Sequence, residues 1–190
     1  MGFFDLLKIK TKSKDNQKIE MEKQVLKDLA RMSRESGDYY NAFYFDHKAH
    51  IDLFEQEISF QLVHAREMDD AGNAIQFMKQ ARAMMKSFRS WCEDQPGGRE
   101  YYEKHIAMNP NMPNREARLD KQITDAEYIY YTVVPGILER AREDGGAKQA
   151  DLCHAFNVGR DQVLFEIRRL EMAGQVRTEK RGKYVYIIEK

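Results

Sequence analysis

The chain has 190 residues, of which 42% are hydrophobic and 33% charged, enough for one sizeable domain or two small ones. Its formal net charge of zero excludes a surface that is positive throughout, so any nucleic-acid contact must be local. The two distant cysteines, Cys92 and Cys153, and the lack of a long apolar run predict a cytoplasmic protein with buried thiols, no disulfide and no membrane span.

The N-terminal part of the chain predicts a helical domain over residues 16–108, preceded by a mobile tail over residues 1–15. A first helix is expected from about Asn16 to Met32, ending before Ser36 and Gly37. Its apolar positions recur at helical spacing: Ile19, Val25, Leu26, Leu29 and Met32.

Two longer patterns follow, and they predict a pair of antiparallel helices. From Tyr39 to Ala65 an apolar or aromatic residue recurs every three or four positions, and the spacing resumes from Ile75 to Cys92 after a polar break at Asp69 to Gly72. Helices of similar length joined by a short turn fold back on each other, with a third helix covering the open side. We expect this domain to serve dimerisation or sensing in a homo-oligomer.

The segment over residues 109–123 is the predicted linker, because Pro110 and Pro113 mark a loop at its start. Its highly charged part from Asn114 to Gln122 is expected to continue as a solvated connecting helix. Thr124 and Glu127 have the spacing of a capping box, which predicts that a new helix begins at residue 124. Pro135 predicts a kink or a restart of that helix.

The last part of the chain predicts a helix, a turn, a second helix and a β-hairpin. Leu152 and Phe156 lie four residues apart on a short helix, and Asn157 to Gly159 form the turn. A second helix then carries a buried stripe of Val163, Ile167 and Leu170. After Gly174, the segment from Val176 to Ile188 alternates as two strands that reverse near Arg181 and Gly182.

This stretch resembles the winged-helix superfamily of bacterial transcription regulators. The likeness is carried by Arg160-Asp161-Gln162-Val163 and by Leu170-Glu171-Met172-Ala173-Gly174-Gln175-Val176. The resemblance implies a winged helix-turn-helix domain over residues 124–190, an α+β domain in an otherwise mainly α protein.

The resemblance also implies that the second helix and the hairpin, or wing, bind double-stranded DNA. Residues 160–190 contain eight basic and five acidic side chains, so the positive excess lies on those two elements. Base or groove contacts are assigned to the helix and phosphate contacts to the wing. The candidate DNA-binding residues are Arg160, Gln162, Arg168, Arg169, Lys180, Arg181 and Lys183.

Three residues of the second helix support an alternative function. Leu164, Phe165 and Glu166 are expected on or beside its outer face, where a base-reading helix usually presents polar donors. Leu164 and Phe165 are therefore candidate protein contacts, and the winged helix could be an interaction module that does not bind DNA.

No pattern predicts catalysis or a cofactor. The sequence contains no nucleophile beside a base, no glycine-rich phosphate loop and no paired-cysteine zinc motif. His50 and His64 lie four turns apart on one predicted helix, too far for one metal ion, and His47 falls on the apolar stripe as a core histidine. We expect a protein that is not an enzyme and holds no metal.

Overall fold

The structure is a computed structural model that describes the backbone of residues 3–68, 71–108 and 114–190, and side chains from residue 17 onward within those ranges. The side chains of the predicted tail, and residues 109–113 of the predicted linker, therefore lie outside the described part. Across that part the chain is mainly helical with a small antiparallel sheet, and no helix is long and apolar enough to cross a bilayer.

The N-terminal half of the chain is helical. Its α-helices are α1 (Phe3–Glu35), α2 (Tyr39–Glu67), α3 (Ala71–Glu93) and α4 (Gly98–Tyr101), and a π-helical turn (Tyr102–Ala107) continues α4. Helix α1 begins well before its predicted start, because no proline or glycine interrupts the helix formers between residues 3 and 16.

Two compact units make up the chain. One draws on the described residues within Met1–Met68 and Gln76–Asp120, and the other on those within Asp69–Ile75 and Lys121–Lys190. We call them the helical unit and the C-terminal unit.

The core of the helical unit follows the predicted stripes of α2 and α3. The buried side chains on these helices include Phe43, Ile51, Phe54, Ile58, Ala81, Met85, Phe88 and Cys92. Helix α1 differs from its prediction, since among its side chains from residue 17 onward Ala30 is the buried one, whereas Ile19, Val25, Leu29 and Met32 remain exposed. Both cysteines are free and buried, and burial raises the pKa of the Cys92 thiol to about 12.

The predicted helix start at Thr124 is wrong. Helix α5 (Arg115–Tyr128) passes through residue 124 and is followed by a second π-helical turn (Ile129–Val133) and by α6 (Val134–Ala141). The capping-box spacing therefore falls inside a helix whose first turn lies at residue 115. The expected restart near Pro135 is not observed, because Val133 and Val134 keep helical backbone angles and the π-helical turn runs directly into α6. The widened turn before the proline accommodates its missing N–H donor within a continuous helix.

The C-terminal unit contains a three-stranded antiparallel sheet in the order β1-β3-β2. Its elements are β1 (Ala147–Lys148), α7 (Gln149–Ala155), α8 (Arg160–Met172), β2 (Val176–Arg181) and β3 (Tyr184–Glu189). The two helices and the hairpin occur where the sequence predicted them, whereas the two-residue strand β1 was not predicted. Between the helices, the Asn157 N–H donates to the Tyr128 hydroxyl oxygen at 3.2 Å.

The core of the C-terminal unit joins residues of α6, α7, α8 and the sheet. Its most deeply buried side chains are Val133, Ile137, Ala141, Leu152, Val163, Ile167, Val176 and Ile187. The predicted apolar stripe of α8, completed by Leu170, is thus confirmed as its buried face.

Candidate nucleic-acid interface

The outer face of α8 lies opposite its buried stripe. At 100° per residue the positions opposite Val163 are occupied by Asp161, Phe165, Arg168 and Met172, and all four are exposed. Phe165 is 58% exposed and Met172 is 89% exposed. The outward surface of this helix therefore combines one cation and one anion with two large apolar side chains.

The sequence-based placement of Glu166 on or beside this outer face is wrong. Glu166 is only 2% exposed, because it lies about 60° around the helix from Val163 and flanks the buried stripe. Gln162 Nε2 donates to Glu166 Oε1 at 3.0 Å, and Arg169 Nε lies 3.4 Å from Oε2. The Glu166 carboxylate is thus buried and contacts the side chains of two candidate DNA-binding residues, Gln162 and Arg169.

Leu164 also differs from its predicted position. It is partly buried and packs against the hydrophobic core of the C-terminal unit, on the flank opposite Glu166. Of the two predicted protein contacts, only Phe165 is freely exposed. Met172, two turns further along the same face, was missed, although its spacing of seven residues from Phe165 is visible in the sequence.

The β2–β3 hairpin is bonded to the C-terminal end of α8. The backbone N–H and the hydroxyl of Thr178 both donate to Glu171 Oε1, at 3.2 and 2.7 Å. Side chains alternate along a strand, so Lys180 shares the strand face of Thr178 and the buried Val176. Lys180 is therefore an exposed residue on the face of the hairpin that also carries Thr178, the residue bonded to α8.

Arg181 lies on the other face of the hairpin, where its contacts are internal. Its guanidinium donates to Glu179 Oε1 and to the carbonyl oxygen of Gly145, each at 2.8 Å. It also lies 4.9 Å from the centre of the Tyr186 ring. The predicted phosphate contact at Arg181 would have to compete with these bonds, because they hold the side chain against the sheet.

A second pair of cations surrounds Tyr184 on that same outer face of the sheet. The ammonium of Lys148 lies 4.9 Å from the ring centre and that of Lys183 lies 5.2 Å from it. Lys183 was a predicted phosphate contact, but Lys148 was not found from the sequence, because the two-residue strand that positions it carries no alternating pattern. Lys180 and Lys183 consequently extend from opposite faces of the hairpin tip.

Arg160 begins α8 and lies beside Cys153. Burial raises the pKa of the Cys153 thiol, and the Arg160 guanidinium offsets part of that rise. A protonated, buried thiol is a poor nucleophile, so this pair does not form a reactive cysteine site. Arg160 itself is exposed and free to meet a phosphate or a base edge.

Four of the five histidines, His47, His50, His64 and His105, lie in the helical unit among aromatic rings, and His154 lies on α7 of the C-terminal unit. His47 meets Trp91 edge to face at 4.9 Å between ring centres, which agrees with its predicted place on the apolar stripe, and His50 stacks on Trp91 at 4.3 Å. Among the described residues, no three histidine, cysteine or acidic side chains come close enough together to hold a metal ion.

Comparisons of this chain with protein-family models, with curated proteins and with solved structures give no match.

Proposed function

We propose that this chain is a DNA-binding protein of the winged-helix type, a bacterial transcription regulator in which the C-terminal unit reads double-stranded DNA. Helix α8 enters the major groove and the β2–β3 hairpin acts as the wing that contacts the backbone beside it. The helical unit serves dimerisation or sensing.

The observation that carries this proposal is the bond between Thr178 and Glu171. It fixes the hairpin to the end of α8, so the cations of both elements keep fixed relative positions. Cations held in fixed relative positions can neutralise several phosphates without the loss of conformational entropy that ordering mobile elements would cost on binding. Besides Arg169, which is paired with Glu166, four candidate cations lie exposed on these two elements: Arg160, Arg168, Lys180 and Lys183.

The burial of Glu166 supports the same function in two ways. It removes one carboxylate from the surface that would face phosphate, and it positions Gln162 and Arg169 through the contacts described above. An amide held this way can offer paired hydrogen bonds to adenine, and a guanidinium can do so to guanine. We assign base readout to Gln162 and Arg169, and phosphate contacts to Arg168, Lys180 and Lys183.

The test is retention of duplex genomic fragments at about 50 mM and about 200 mM salt, where electrostatic binding falls steeply. Wild-type protein should retain duplex DNA at the lower concentration and release most of it at the higher. Lys180→Gln should weaken retention, whereas Lys86→Gln, which removes an exposed lysine from α3, should not. Failure to retain any duplex at low salt would refute DNA binding.

A second candidate function is favoured by Phe165 and Met172. Two large apolar side chains this exposed on one helix face are typical of a protein contact, with Arg168 lying between them. In this alternative, α8 docks on a protein surface and the unit does not read DNA.

The double variant Phe165→Ser/Met172→Ser separates the two functions. Neither side chain belongs to the buried core, so folding should persist. Sedimentation and DNA retention are then measured on the same preparation. Loss of self-association with DNA retention unchanged would favour the protein contact. Unchanged association would remove a contact between copies of this chain through α8.

A further inference from the structure

The helical unit contains an open groove between α2 and α3. Its volume is about 700 Å³, within the size range of small-molecule sites in proteins. Apolar side chains form most of its lining: Leu53, Phe54, Ala83, Met84, Phe88 and Trp91. Both walls lie within one compact unit, so the groove does not depend on the arrangement of the two units.

The floor of the groove is a preformed aromatic stack. Phe54 and Phe88 are buried and lie parallel, with 3.8 Å between ring centres, and Trp91 packs 5.3 Å from Phe88. Leu53 forms part of the rim and is 67% exposed. Rings fixed by their neighbours lose little freedom when a ligand binds, and apolar surface left open to water gains free energy when it is covered.

Glu57 gives the groove its charge. It is the sole acidic residue of the lining, which includes neither lysine nor arginine, and within the described part of the chain no cation pairs with it. Gln61, which is only 8% exposed, donates from Nε2 to Glu57 Oε1 at 2.9 Å and so holds the carboxylate in place. A fixed carboxylate beside aromatic faces is the surrounding that an organic cation prefers.

His50 and Glu57 mark the two ends of the groove along α2 and so give its length. His50, stacked on Trp91, lies two turns before Glu57, a rise of roughly 10 Å along the helix. This distance fits a single ring joined by a short chain to an amine.

We propose that this groove is a binding site for a small hydrophobic cation. The apolar body lies on Phe54, Phe88 and Trp91, and the ammonium group pairs with Glu57. The assignment is independent of DNA binding, since none of its residues belongs to the C-terminal unit.

The only tryptophan of the chain, Trp91, lies in the groove and provides the assay. Fluorescence excited at the indole is followed while 4-phenylbutylamine, 4-phenylbutanol or 4-phenylbutyrate is added to the full-length protein. The amine should give a saturable change with about three- to fivefold higher affinity than the alcohol, as expected for one exposed ion pair, and the acid should bind most weakly.

Two matched variants locate the charge. Glu57→Gln should bring the affinity for the amine down to that for the alcohol without changing the latter. Glu67→Gln removes an exposed carboxylate from the end of the same helix and should leave all three affinities unchanged. Leu53→Ser should weaken the amine and the alcohol alike, and circular dichroism checks that each variant is folded.

Three results would overturn the proposal. The first is the absence of a saturable response to any of the three compounds. The second is equal affinity for the amine and the acid. The third is a Trp91 signal that changes on dilution together with the molecular mass, which would assign the groove to a second copy of the chain.

Discussion

Two adjacent glycines before β1 offer a stringent test of the sheet. Gly145 and Gly146 both have positive φ angles, +84° and +73°, so an alanine at either position costs about 1–2 kcal/mol from its backbone conformation. They differ in the space around them. A Cβ at 145 would meet only the Arg181 guanidinium at 3.6 Å, whereas one at 146 would lie 2.5 Å from the carbonyl oxygen of Ile187.

The Ile187 carbonyl belongs to the backbone of β3 and cannot move without disturbing the pairing of β1 with β3. Gly146→Ala therefore adds an overpacking cost of about 1–3 kcal/mol to the conformational one. We expect Gly145→Ala to lower the free energy of unfolding by about 1–2 kcal/mol and Gly146→Ala by about 2–5 kcal/mol.

Urea denaturation followed by far-UV circular dichroism measures the decrease in the free energy of unfolding of both variants. Hydrogen exchange of the amides of residues 184–189 shows whether β3 loses protection. Trp91 fluorescence reports separately on the unfolding of the helical unit, because the indole lies there. Equal losses for the two variants, or a larger loss for Gly145→Ala, would refute the close approach of residue 146 to the Ile187 carbonyl.

Two further predictions concern the helical unit. Arg115 is 7% exposed and donates to both carboxylate oxygens of Glu55. Glu55→Gln should therefore lower the free energy of unfolding, measured by urea denaturation, by about 2–4 kcal/mol. The control Asp52→Asn breaks an exposed ion pair on the same helix and should change that free energy by under about 1 kcal/mol. Burial lowers the pKa of His47 below its ordinary 6.5, so as the pH falls the imidazole takes up a proton in the unfolded chain before it does so in the folded one, and the folded state loses stability through and below pH 6.5. His47→Gln should therefore make the free energy of unfolding depend less on pH between 7.5 and 5.5. An unchanged slope of that free energy against pH would contradict the buried environment of His47.

The sequence predicts those parts of the fold whose signal is local and repeated. The stripe of Val163, Ile167 and Leu170 recurs at helical spacing, and the residues on either side of Gly182 alternate, so α8 and the hairpin could be placed without coordinates. The same spacing rule places most of the buried residues of α2 and α3.

The features that were missed depend on tertiary contacts. Strand β1 has two residues and exists because β3 offers it a partner, and Glu166 is buried on the edge of a stripe rather than within it. Thr124 carries a capping pattern, but the helix that contains it has already begun at Arg115. Met172 could have been found by following the outer face of α8 to its end.

DNA binding by the fixed pair of α8 and the hairpin is tested most directly by the salt dependence of duplex affinity. Each neutralised phosphate contributes about −0.9 to the slope of log K against log salt, so the three phosphate contacts assigned to Arg168, Lys180 and Lys183 imply a slope of about −3. Lys180→Gln/Lys183→Gln should reduce the magnitude of that slope by about 2, measured by fluorescence anisotropy of a labelled duplex. An unchanged slope, or no binding at low salt, would contradict the proposed function.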